Sequence, residues 1–301
     1  MNILAIDIGG TTIKSDVYCN DKSLGQFNEM PTQVDLNTQT NNILNQVEQL
    51  ISHTIEELSL QNKQLSGVAI ATAGVVDSSQ GTVVYAGYTI PNYGGTDFSS
   101  MIQEQFDLRC VVLNDVNSAT YAEYKLNDYN KEDTLLCLTI GTGIGSGIVI
   151  HNNLLIGHTF SAGEVGYMPI EGQKYQNIAS TTALVKNYQS VLNSKEPVNG
   201  KMIFEAYHHN NSKAVHVVRE WIQQLVKGLL PMVYILNPTT IALGGGVMAQ
   251  HEVLIPLIKD ELRHQLESEA FMPKSIKPMN VGNEAGRLGA YYYFLDHVSS
   301  K

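Results

Sequence analysis

Glycine and threonine residues that could bind an anion are concentrated between residues 138 and 147. This stretch reads LTIGTGIGSG, in which an apolar run ending at Ile140 leads into Gly141, Thr142 and Gly143. Glycine lets the backbone turn through positive φ and lets another group approach closely, so successive N–H groups can form an anion-binding concavity. The same pattern also suits a glycine-rich hairpin that binds nothing.

A second copy of this pattern lies at the start of the chain. Residues 3–14 read ILAIDIGGTTIK, and an offset of 132 residues (139 minus 7) pairs Asp7 with Thr139 and Gly9 with Gly141. The other matched pairs are Ile8 with Ile140, Asn20 with Asn152, and Gly25 with Gly157. We therefore expect each half of the chain to open with a β-turn-β unit, in two related domains with a ligand between the turns.

Two segments carry polar side chains next to glycine or at the end of a strand. Asn114 and Asp115 follow the apolar strand Cys110–Leu113, where open α/β sheets place their ligands. Asp115 could accept the proton of a substrate hydroxyl during phosphoryl transfer, or could simply cap the next helix. Glu164 and Tyr167, in FSAGEVGYM, could bind sugar hydroxyls or belong to a surface turn.

Two further loops could contribute to a binding site. Asn92 and Tyr93, in the loop Tyr88–Phe98, could hold a sugar or merely order that loop. Strand Thr239–Leu243 runs into GGG and then a helix, a suitable place for a phosphate or a nucleoside.

Composition limits the classes of function and the compartment. The chain has 301 residues, 43% of them hydrophobic, which predicts a globular protein long enough for two domains. Its net charge of −10 disfavours a general binder of nucleic acid. The three cysteines are far apart without CxxC spacing, and the longest apolar run, Leu229–Leu236, contains Pro231. We expect a cytoplasmic protein that has no membrane partner.

Apolar periodicity and glycine positions predict the secondary structure. The predicted strands include Ile3–Ile8, Thr12–Tyr18, Leu24–Met30 and Val68–Ala71. The predicted helices are Asn37–Leu60, Ser118–Leu126, Ala179–Val191, Gly200–Tyr207, Ser212–Tyr234, His251–Leu266 and one near Glu284–Leu295.

The chain contains, in order, an Asp-Gly-Thr turn, an Asn-Asp strand end, a GTG turn and a GGG turn. Motifs in this order resemble those of the superfamily of sugar kinases, heat-shock ATPases and actin. AIDIGGTTIK, NDVNSA, LTIGTGIGSG, AGEVGYM and ALGGGV are more specifically similar to the ROK family of sugar kinases. The resemblance implies an α/β fold of two actin-like (ribonuclease H-like) domains with a cleft between them. It places residues 1–115 and a last helix at about 286–301 in one domain, and residues 116–285 in the other.

The resemblance also implies a role for individual residues. Asp115 would be the general base at the sugar 6-hydroxyl, and Asp7 would hold Mg²⁺ through water. The residues that would bind ATP or its phosphates are Ala5, Ile6, Asp7, Ile8, Gly9, Gly10, Thr11, Thr12, Gly141, Thr142, Gly143, Gly245 and Gly246. The residues that would bind the sugar are Gly74, Asn92, Asn114, Glu164 and Tyr167. ATP and Mg²⁺ are thus the expected cofactors, and relatives suggest a homodimer.

The chain departs from the family pattern at two places. Many members carry a histidine where this chain has Tyr167, followed by a CxCGxxGC zinc cluster, and residues 168–180 contain no cysteine or histidine. We therefore expect no structural zinc. A glutamate common in the family is replaced by Gln176, which affects recognition around the sugar 1- and 2-hydroxyls.

The branch of the family without zinc includes β-glucoside kinases and N-acetylmannosamine kinases. AGEVGYM is more similar to the former, and residues 73–98 are more similar to the latter. We expect a β-glucoside such as cellobiose, because Glu164 and Tyr167 would touch the sugar near its anomeric end. Glucokinase is an alternative, and so is a sugar-sensing regulator without catalysis. Family repressors carry a helix-turn-helix before the first strand, whereas two residues precede Ile3 here, so we expect no DNA binding.

Overall fold

The computed structural model describes residues 1–87, 90–193 and 196–298, and it divides into two compact units. The first unit comprises Met1–Asp128, Ile156–Ala162 and Val281–Lys301, and the second comprises Tyr129–Leu155 and Gly163–Asn280. The sequence-based boundary at residue 115 thus falls inside the first unit, and so does the last helix.

Strands and helices are numbered in chain order. The strands of the first unit are β1 Asn2–Ile8, β2 Thr12–Cys19, β3 Lys22–Ser23, β4 Asn28–Pro31, β5 Val34–Asp35, β6 Thr40–Asn41, β7 Leu65–Thr72, β8 Val75–Asp77, β9 Thr82–Tyr85 and β10 Arg109–Asn114. Those of the second unit are β11 Thr134–Ile140, β12 Ile144–Ile150, β13 Asn153–Leu154, β14 Pro169–Ile170, β15 Gln173–Lys174, β16 Thr240–Gly244 and β17 Ser275–Pro278. The α-helices are α1 Ile43–Leu60, α2 Phe98–Phe106, α3 Asp115–Lys125, α4 Tyr175–Ala179, α5 Thr181–Leu192, α6 Gly200–His208, α7 Ser212–Leu236, α8 His251–Gln265 and α9 Ala285–Val298.

The main sheets of the two units have the same strand order. In the first unit the order is β10-β7-β1-β2-β3, with β4 also paired to β2, and in the second it is β17-β16-β11-β12-β13. In both sheets the first strand pairs antiparallel with the second and parallel with the strand on its other side. The internal repeat predicted from the sequence is therefore confirmed.

The repeat extends to single backbone conformations. Asn20 and Asn152 have φ of 49° and 67°, and Gly25 and Gly157 have φ of 74° and 80°. The first strands of the two sheets, β1 and β11, are also related by the offset read from the sequence. The polar turn residues of both copies thus serve the same local geometry, since Asn and Gly tolerate the left-handed region.

Two predicted elements differ from the structure because a local feature interrupts them. The first long helix begins at Ile43 instead of Asn37, because the preceding residues form the β5–β6 hairpin, in which Val34 pairs with Asn41. The predicted strand Leu24–Met30 is reduced to β4, because the positive φ of Gly25 interrupts the extended chain. Pro231 lies within α7, which continues to Leu236.

Both faces of the first unit's sheet are covered, which explains the uninterrupted apolar run of β1. Leu4 and Ile6 pack in the core that includes Val47 of α1, whereas Ile3 and Ala5 pack in a separate core with Phe294 of α9. A strand buried on both faces loses the alternation of apolar and polar residues. Helix α9 also packs closely on α3, since a Cβ at Gly289 would lie 1.7 Å from the Ser118 carbonyl oxygen. None of the helices in the described part of the chain has the length and apolar character needed to span a bilayer.

Candidate functional site

Three parallel strands of the first unit end at the same edge of the sheet. Ile8 of β1, Thr72 of β7 and Asn114 of β10 lie at the same level in the strand register. Neighbouring strands are about 4.8 Å apart, so β1 and β10, on either side of β7, are separated by about 10 Å. Asp7, one residue before the end of β1, and Asp115, one residue after β10, therefore lie at one edge, as their strand ends predict.

Asn114, and not Asp115, is the N-cap of helix α3. Its Oδ1 accepts hydrogen bonds from the backbone N–H groups of Val116 and Asn117, at 2.9 and 3.0 Å. Asp115 Oδ1 accepts from Asn114 Nδ2 and from the Val116 N–H, both at 2.9 Å. Because Asn114 satisfies the cap, Asp115 is not needed for that purpose, and its carboxylate is oriented by the first turn of α3.

Gly74 lies next to this pair. Asn114 Nδ2 also donates to the Gly74 carbonyl oxygen at 2.9 Å, which fixes the amide between Gly74 and Asp115. Gly74 has a φ of +101°, and a Cβ there would lie 2.6 Å from the Tyr85 carbonyl oxygen, so only glycine fits. Gly74, Asn114 and Asp115 are thus brought together as the predicted site requires.

Tyr93, which the sequence offers with Asn92 as a residue that holds a sugar or orders the loop, is a neighbour of Asp115. Its side chain is 1% exposed, and its hydroxyl lies 2.6 Å from the Thr72 hydroxyl. Burial raises the pKa of Tyr93, the negative charge of Asp115 raises it further, and the hydrogen bond with Thr72 lowers it. Tyr93 is therefore a neutral hydroxyl group that is hydrogen-bonded to Thr72 and affected by the charge of Asp115.

Asn92, expected to bind sugar, contacts the β5–β6 hairpin. It is exposed, has a φ of 52°, and its Nδ2 donates to the Gln39 carbonyl oxygen at 2.7 Å. Tyr88 and Thr89, at the start of the predicted loop, lie outside the described residues.

The turn between β1 and β2 presents backbone groups. Ala5, Ile6 and Ile8 are fully buried, so only their main chain could meet a nucleotide. The turn is closed by the Gly9 N–H, which donates to the Thr12 carbonyl oxygen at 2.9 Å. Gly10 and Thr12 are partly exposed and Thr11 is exposed, as a phosphate-binding turn requires.

Asp7 is a partly buried carboxylate beside this turn. Burial raises the pKa of Asp7, whereas the nearby charges of Arg287 and, less strongly, Lys14 lower it. Mg²⁺ in nucleotide sites is usually held by one or two carboxylates together with substrate phosphates and water. A single carboxylate next to a glycine turn therefore fits a magnesium–nucleotide complex.

In the second unit, three segments converge: the GTG turn (Gly141–Gly143), the GGG turn (Gly244–Gly246) and the start of α5. The Gly141 N–H donates to the Gly143 carbonyl oxygen at 3.0 Å, and the Thr181 N–H of α5 donates to the Gly141 carbonyl oxygen at 2.9 Å. Gly245 has a φ of +96°, and a Cβ there would lie 2.2 Å from the Ile140 carbonyl oxygen. The GTG turn, the GGG turn and the start of α5 thus form one backbone-rich surface.

A cavity of about 810 Å³ opens beside this surface. Its wall includes Gly141, Thr142 and Gly246, which are among the residues expected to bind ATP, together with residues that no motif indicated. The additional lining residues are Thr181, Thr182, Val185, Lys186, Gln189, Gly200, Lys201, Phe204, Val247, Ala249 and Gln250. The volume is within the range of small-molecule sites.

The charge of this cavity favours an anionic ligand. Lys186 and Lys201 line it, and none of its described lining residues is acidic, although the whole chain has a net charge of −10. The first turns of α5 and α6 contribute Thr181 and Gly200, so two helix N-termini lie at the wall. Helix N-termini carry partial positive charge and free N–H groups, which stabilise phosphate. An apolar wall including Phe204 completes a surface suited to a nucleotide.

The segment that carries Glu164 and Tyr167 packs on strand β12. Cβ atoms at Gly163 and Gly166 would lie 2.4 Å from the Ser146 carbonyl oxygen and 2.3 Å from the Ile144 carbonyl oxygen. The two glycines therefore allow close approach to the strand, and burial raises the pKa of Glu164 between them.

Gln176 lies next to this segment, and Tyr167 belongs to it. Gln176 Oε1 would be 2.9 Å from a Cβ at Gly143 and 3.0 Å from one at Gly166, so it lies between the GTG turn and the Glu164 segment. Tyr167 is 43% exposed, with Lys174 Nζ 5.0 Å from its ring centre.

Related proteins match most of the chain. An uncharacterized protein from Clostridium perfringens is 37% identical over 296 residues, which cover 98% of both chains. A β-glucoside kinase from Listeria innocua is 30% identical over 304 residues, with 98% of both chains covered. The xylose repressor of Bacillus subtilis is 24% identical over 82% of this chain and 66% of its own length.

Solved structures are similar over the same length. A putative N-acetylmannosamine kinase from Listeria monocytogenes has a TM-score of 0.80 and 27% identity, with 98% of this chain and 99% of that chain covered. A ROK glucokinase from Streptomyces griseus in complex with glucose and AMPPNP has a TM-score of 0.77 and 25% identity, with 97% and 99% covered. The ROK family itself matches residues 3–297. The chain belongs to the ROK family, and its α/β fold is the actin-like fold of that family's sugar kinases.

Proposed function

We propose that the protein is an ATP-dependent sugar kinase that phosphorylates the 6-hydroxyl of a β-glucoside such as cellobiose. The observation that carries the proposal is the position of Asp115 at the carboxyl edge of the sheet, oriented by Asn114 and not consumed as a helix cap. A carboxylate held in this way can accept the proton of a hydroxyl as it attacks phosphorus.

In the proposed reaction the sugar oxygen forms a bond to the γ-phosphorus of ATP, and the bond from that phosphorus to the bridging β–γ oxygen breaks. The hydroxyl proton goes to Asp115, and ADP carries the leaving oxygen. Asp7 would hold Mg²⁺ through water, and the ion would neutralise phosphate charge. The main chain of Gly9, Gly10, Thr11 and Thr12 would bind phosphate beside it, since phosphoryl transfer depends on positioning and charge neutralisation.

The cavity of the second unit would hold the nucleotide. Gly141, Thr142 and Gly143 would bind the β- and γ-phosphates, and Gly245 and Gly246 would flank the adenosine. The lysines of the wall, with two helix N-termini, support this assignment because they favour phosphate. The Streptomyces griseus glucokinase, crystallised with glucose and AMPPNP, is similar over 97% of this chain.

Glu164, Tyr167, Asn114, Gly74 and Asn92 would form the sugar site. A carboxylate such as Glu164 can accept hydrogen bonds from two hydroxyls, and Tyr167 can stack or donate. The 30% identity to a β-glucoside kinase supports a β-glucoside as the substrate. N-Acetylmannosamine is the second candidate, favoured by the similarity to the Listeria monocytogenes structure, and glucose is the third.

A coupled assay of ADP release tests the proposal. Purified protein with ATP and Mg²⁺ is offered glucose, cellobiose, gentiobiose, N-acetylmannosamine and N-acetylglucosamine, and binding of each sugar is measured by calorimetry in parallel. We expect the highest kcat/KM for cellobiose or gentiobiose. A preference for N-acetylmannosamine would select the second candidate. Sugar binding without ADP release from any sugar would reject a kinase and favour a sugar-sensing regulator, such as the xylose repressor among the relatives.

A further inference from the structure

The first turn of helix α9 lies directly against the Asp7 carboxylate. A Cβ at Gly286 would lie 2.7 Å from Asp7 Cγ, 2.8 Å from Oδ2 and 3.0 Å from Oδ1. Any larger residue at 286 would displace the carboxyl group, because all three of its atoms are within this distance. The next residue along the helix is Arg287.

Arg287 is a buried cation with little compensation. It is 2% exposed, and its Nε and Nη1 have no hydrogen-bond partner among the described residues. Its ion pair is with Glu284, at 3.6 Å, and the Glu284 side chain is 60% exposed. The guanidinium carbon also lies 4.9 Å from the ring centre of Phe27. A buried guanidinium that keeps unused N–H donors is costly unless its charge is needed nearby.

The helical turn that carries this cation packs on the Asp7 carboxylate through Gly286. The charge of Arg287 lowers the pKa of Asp7 more than that of Lys14, which is partly exposed and has its Nζ 3.8 Å from Glu29 Oε1. We propose that Arg287 is a built-in counter-charge for Asp7, which makes the site weak for free divalent metal and selective for the magnesium–nucleotide complex.

The physical reason is competition between two cations for one carboxylate. A fixed positive charge near a partly buried carboxylate repels a second cation more strongly than it would in water. A nucleotide complex of Mg²⁺ is itself negatively charged, so the same arginine attracts it. Arg287 is therefore a positioning residue for Asp7 and a determinant of which magnesium species binds. The inference rests on the proposed role of Asp7 as the magnesium residue.

Metal binding without nucleotide or sugar tests this inference separately from the kinase activity. Mn²⁺ replaces Mg²⁺ as the probe, and free Mn²⁺ is measured by electron paramagnetic resonance for the wild type, Arg287→Met, Arg287→Gln and Arg287→Lys. Each neutral variant should bind Mn²⁺ about tenfold more tightly than the wild type, because one nearby charge has been removed. The gain should vanish when Asp7→Asn is added, and Arg287→Lys should behave as the wild type. Lys14→Met, which removes a more exposed cation, should show a smaller gain.

Three results would overturn the inference. One is an unchanged Mn²⁺ affinity in a folded neutral variant. Another is a gain that persists in the double variant with Asp7→Asn, which would place the metal elsewhere. The third needs no arginine variant: micromolar binding of free Mn²⁺ to the wild type that Asp7→Asn abolishes. Absence of ADP release in the sugar screen would instead reject the proposed function, whatever the metal binding shows.

Discussion

The turn that ends β1 and the turn that ends β11 connect strands that pair in the same way, but their side chains differ in chemistry. Both close a β-hairpin at the centre of a five-strand path of identical order. In the first unit the last residues of the central strand include Asp7, and the equivalent residue in the second unit is Thr139, whose hydroxyl lies 3.4 Å from the Gly145 carbonyl oxygen.

The charged residues around the two turns also differ. The edge of the first sheet carries two carboxylates, Asp7 and Asp115, whereas the cavity next to the second turn is lined by Lys186 and Lys201. Under the proposed function, a duplicated backbone would supply a metal and base site in one copy and a phosphate site in the other. The difference depends on a few side chains placed on turns that are alike.

The largest expected effect is at the proposed base. Asp115→Asn keeps the shape of the side chain but cannot accept the hydroxyl proton, so kcat should fall by about 10² to 10⁴-fold. The thermal unfolding midpoint should change little, because Asn114 is the helix cap. The exposed Asp107→Asn, at the end of α2, is the matched control, and near-normal turnover of Asp115→Asn would reject the role of Asp115.

The second prediction tests the comparison itself. Asp7→Asn should lower kcat/KM for Mg–ATP by about 10²-fold and raise the Mg²⁺ concentration needed for half-maximal rate, because a metal ligand is lost. Thr139→Val, at the equivalent position of the other turn, should leave the Mg²⁺ dependence unchanged. Steady-state rates at varied Mg²⁺ measure both, and equal effects would mean that the two turns share one role.

The lysines of the second unit should affect the nucleotide and not the sugar. Lys186→Ala and Lys201→Ala should each raise the KM for ATP by up to about tenfold, since one charge-assisted contact is worth roughly 1.5 kcal/mol. The KM for sugar should stay as in the wild type, as should both constants in the exposed control Lys131→Ala. A change in sugar KM alone would move the sugar to this cavity.

Alanine substitutions at two adjacent glycines should separate an effect on stability from an effect on nucleotide binding. Gly245→Ala should lower the free energy of unfolding by at least about 2 kcal/mol, because a methyl group would meet the Ile140 carbonyl oxygen at positive φ. At Gly246 nothing lies within 4 Å of a Cβ, so Gly246→Ala should keep the stability and affect only nucleotide binding. Urea unfolding of both variants checks this, and equal stabilities would contradict the close contact.

The smallest effect concerns the buried charge of Glu164. Burial raises its pKa in the folded state, so the protonated form favours folding, and stability is lost as the pH rises from the unfolded pKa through the raised folded one. Glu164→Gln should remove this loss and make the protein slightly more stable than the wild type at pH 7, with a weaker affinity for sugar. Urea unfolding at pH 4 and pH 7 measures the sign, and a less stable variant at pH 7 would contradict it.

The sequence predicts those parts of the site that lie within one motif. The strand ends at Asp7 and Asp115 and the glycine turn at Gly245 follow from local spacing, because the residues involved are close along the chain. The repeat follows from a constant offset between two such motifs. Arg287 could not be predicted in this way, since it is 280 residues from Asp7 and approaches it only through the packing of α9.

Adjacent loop residues were also difficult to distinguish. Asn92 and Tyr93 are neighbours, but the former is exposed and bound to Gln39, and the latter is buried against Thr72. A loop without helical or strand periodicity gives no rule for which of two side chains points inward. Lys186 and Lys201 were missed for a related reason, because they lie on helix surfaces whose partners are remote in sequence.

The central claim is that Asp115 allows this protein to place the γ-phosphoryl group of ATP on the 6-hydroxyl of a sugar. The most direct measurement is nuclear magnetic resonance of the product formed from cellobiose and ATP, with ³¹P–¹H correlation to identify the phosphorylated carbon. We predict a phosphomonoester on a C6 oxygen with the wild type and only traces with Asp115→Asn. Phosphate on another position, or full product formation by Asp115→Asn, would contradict the account.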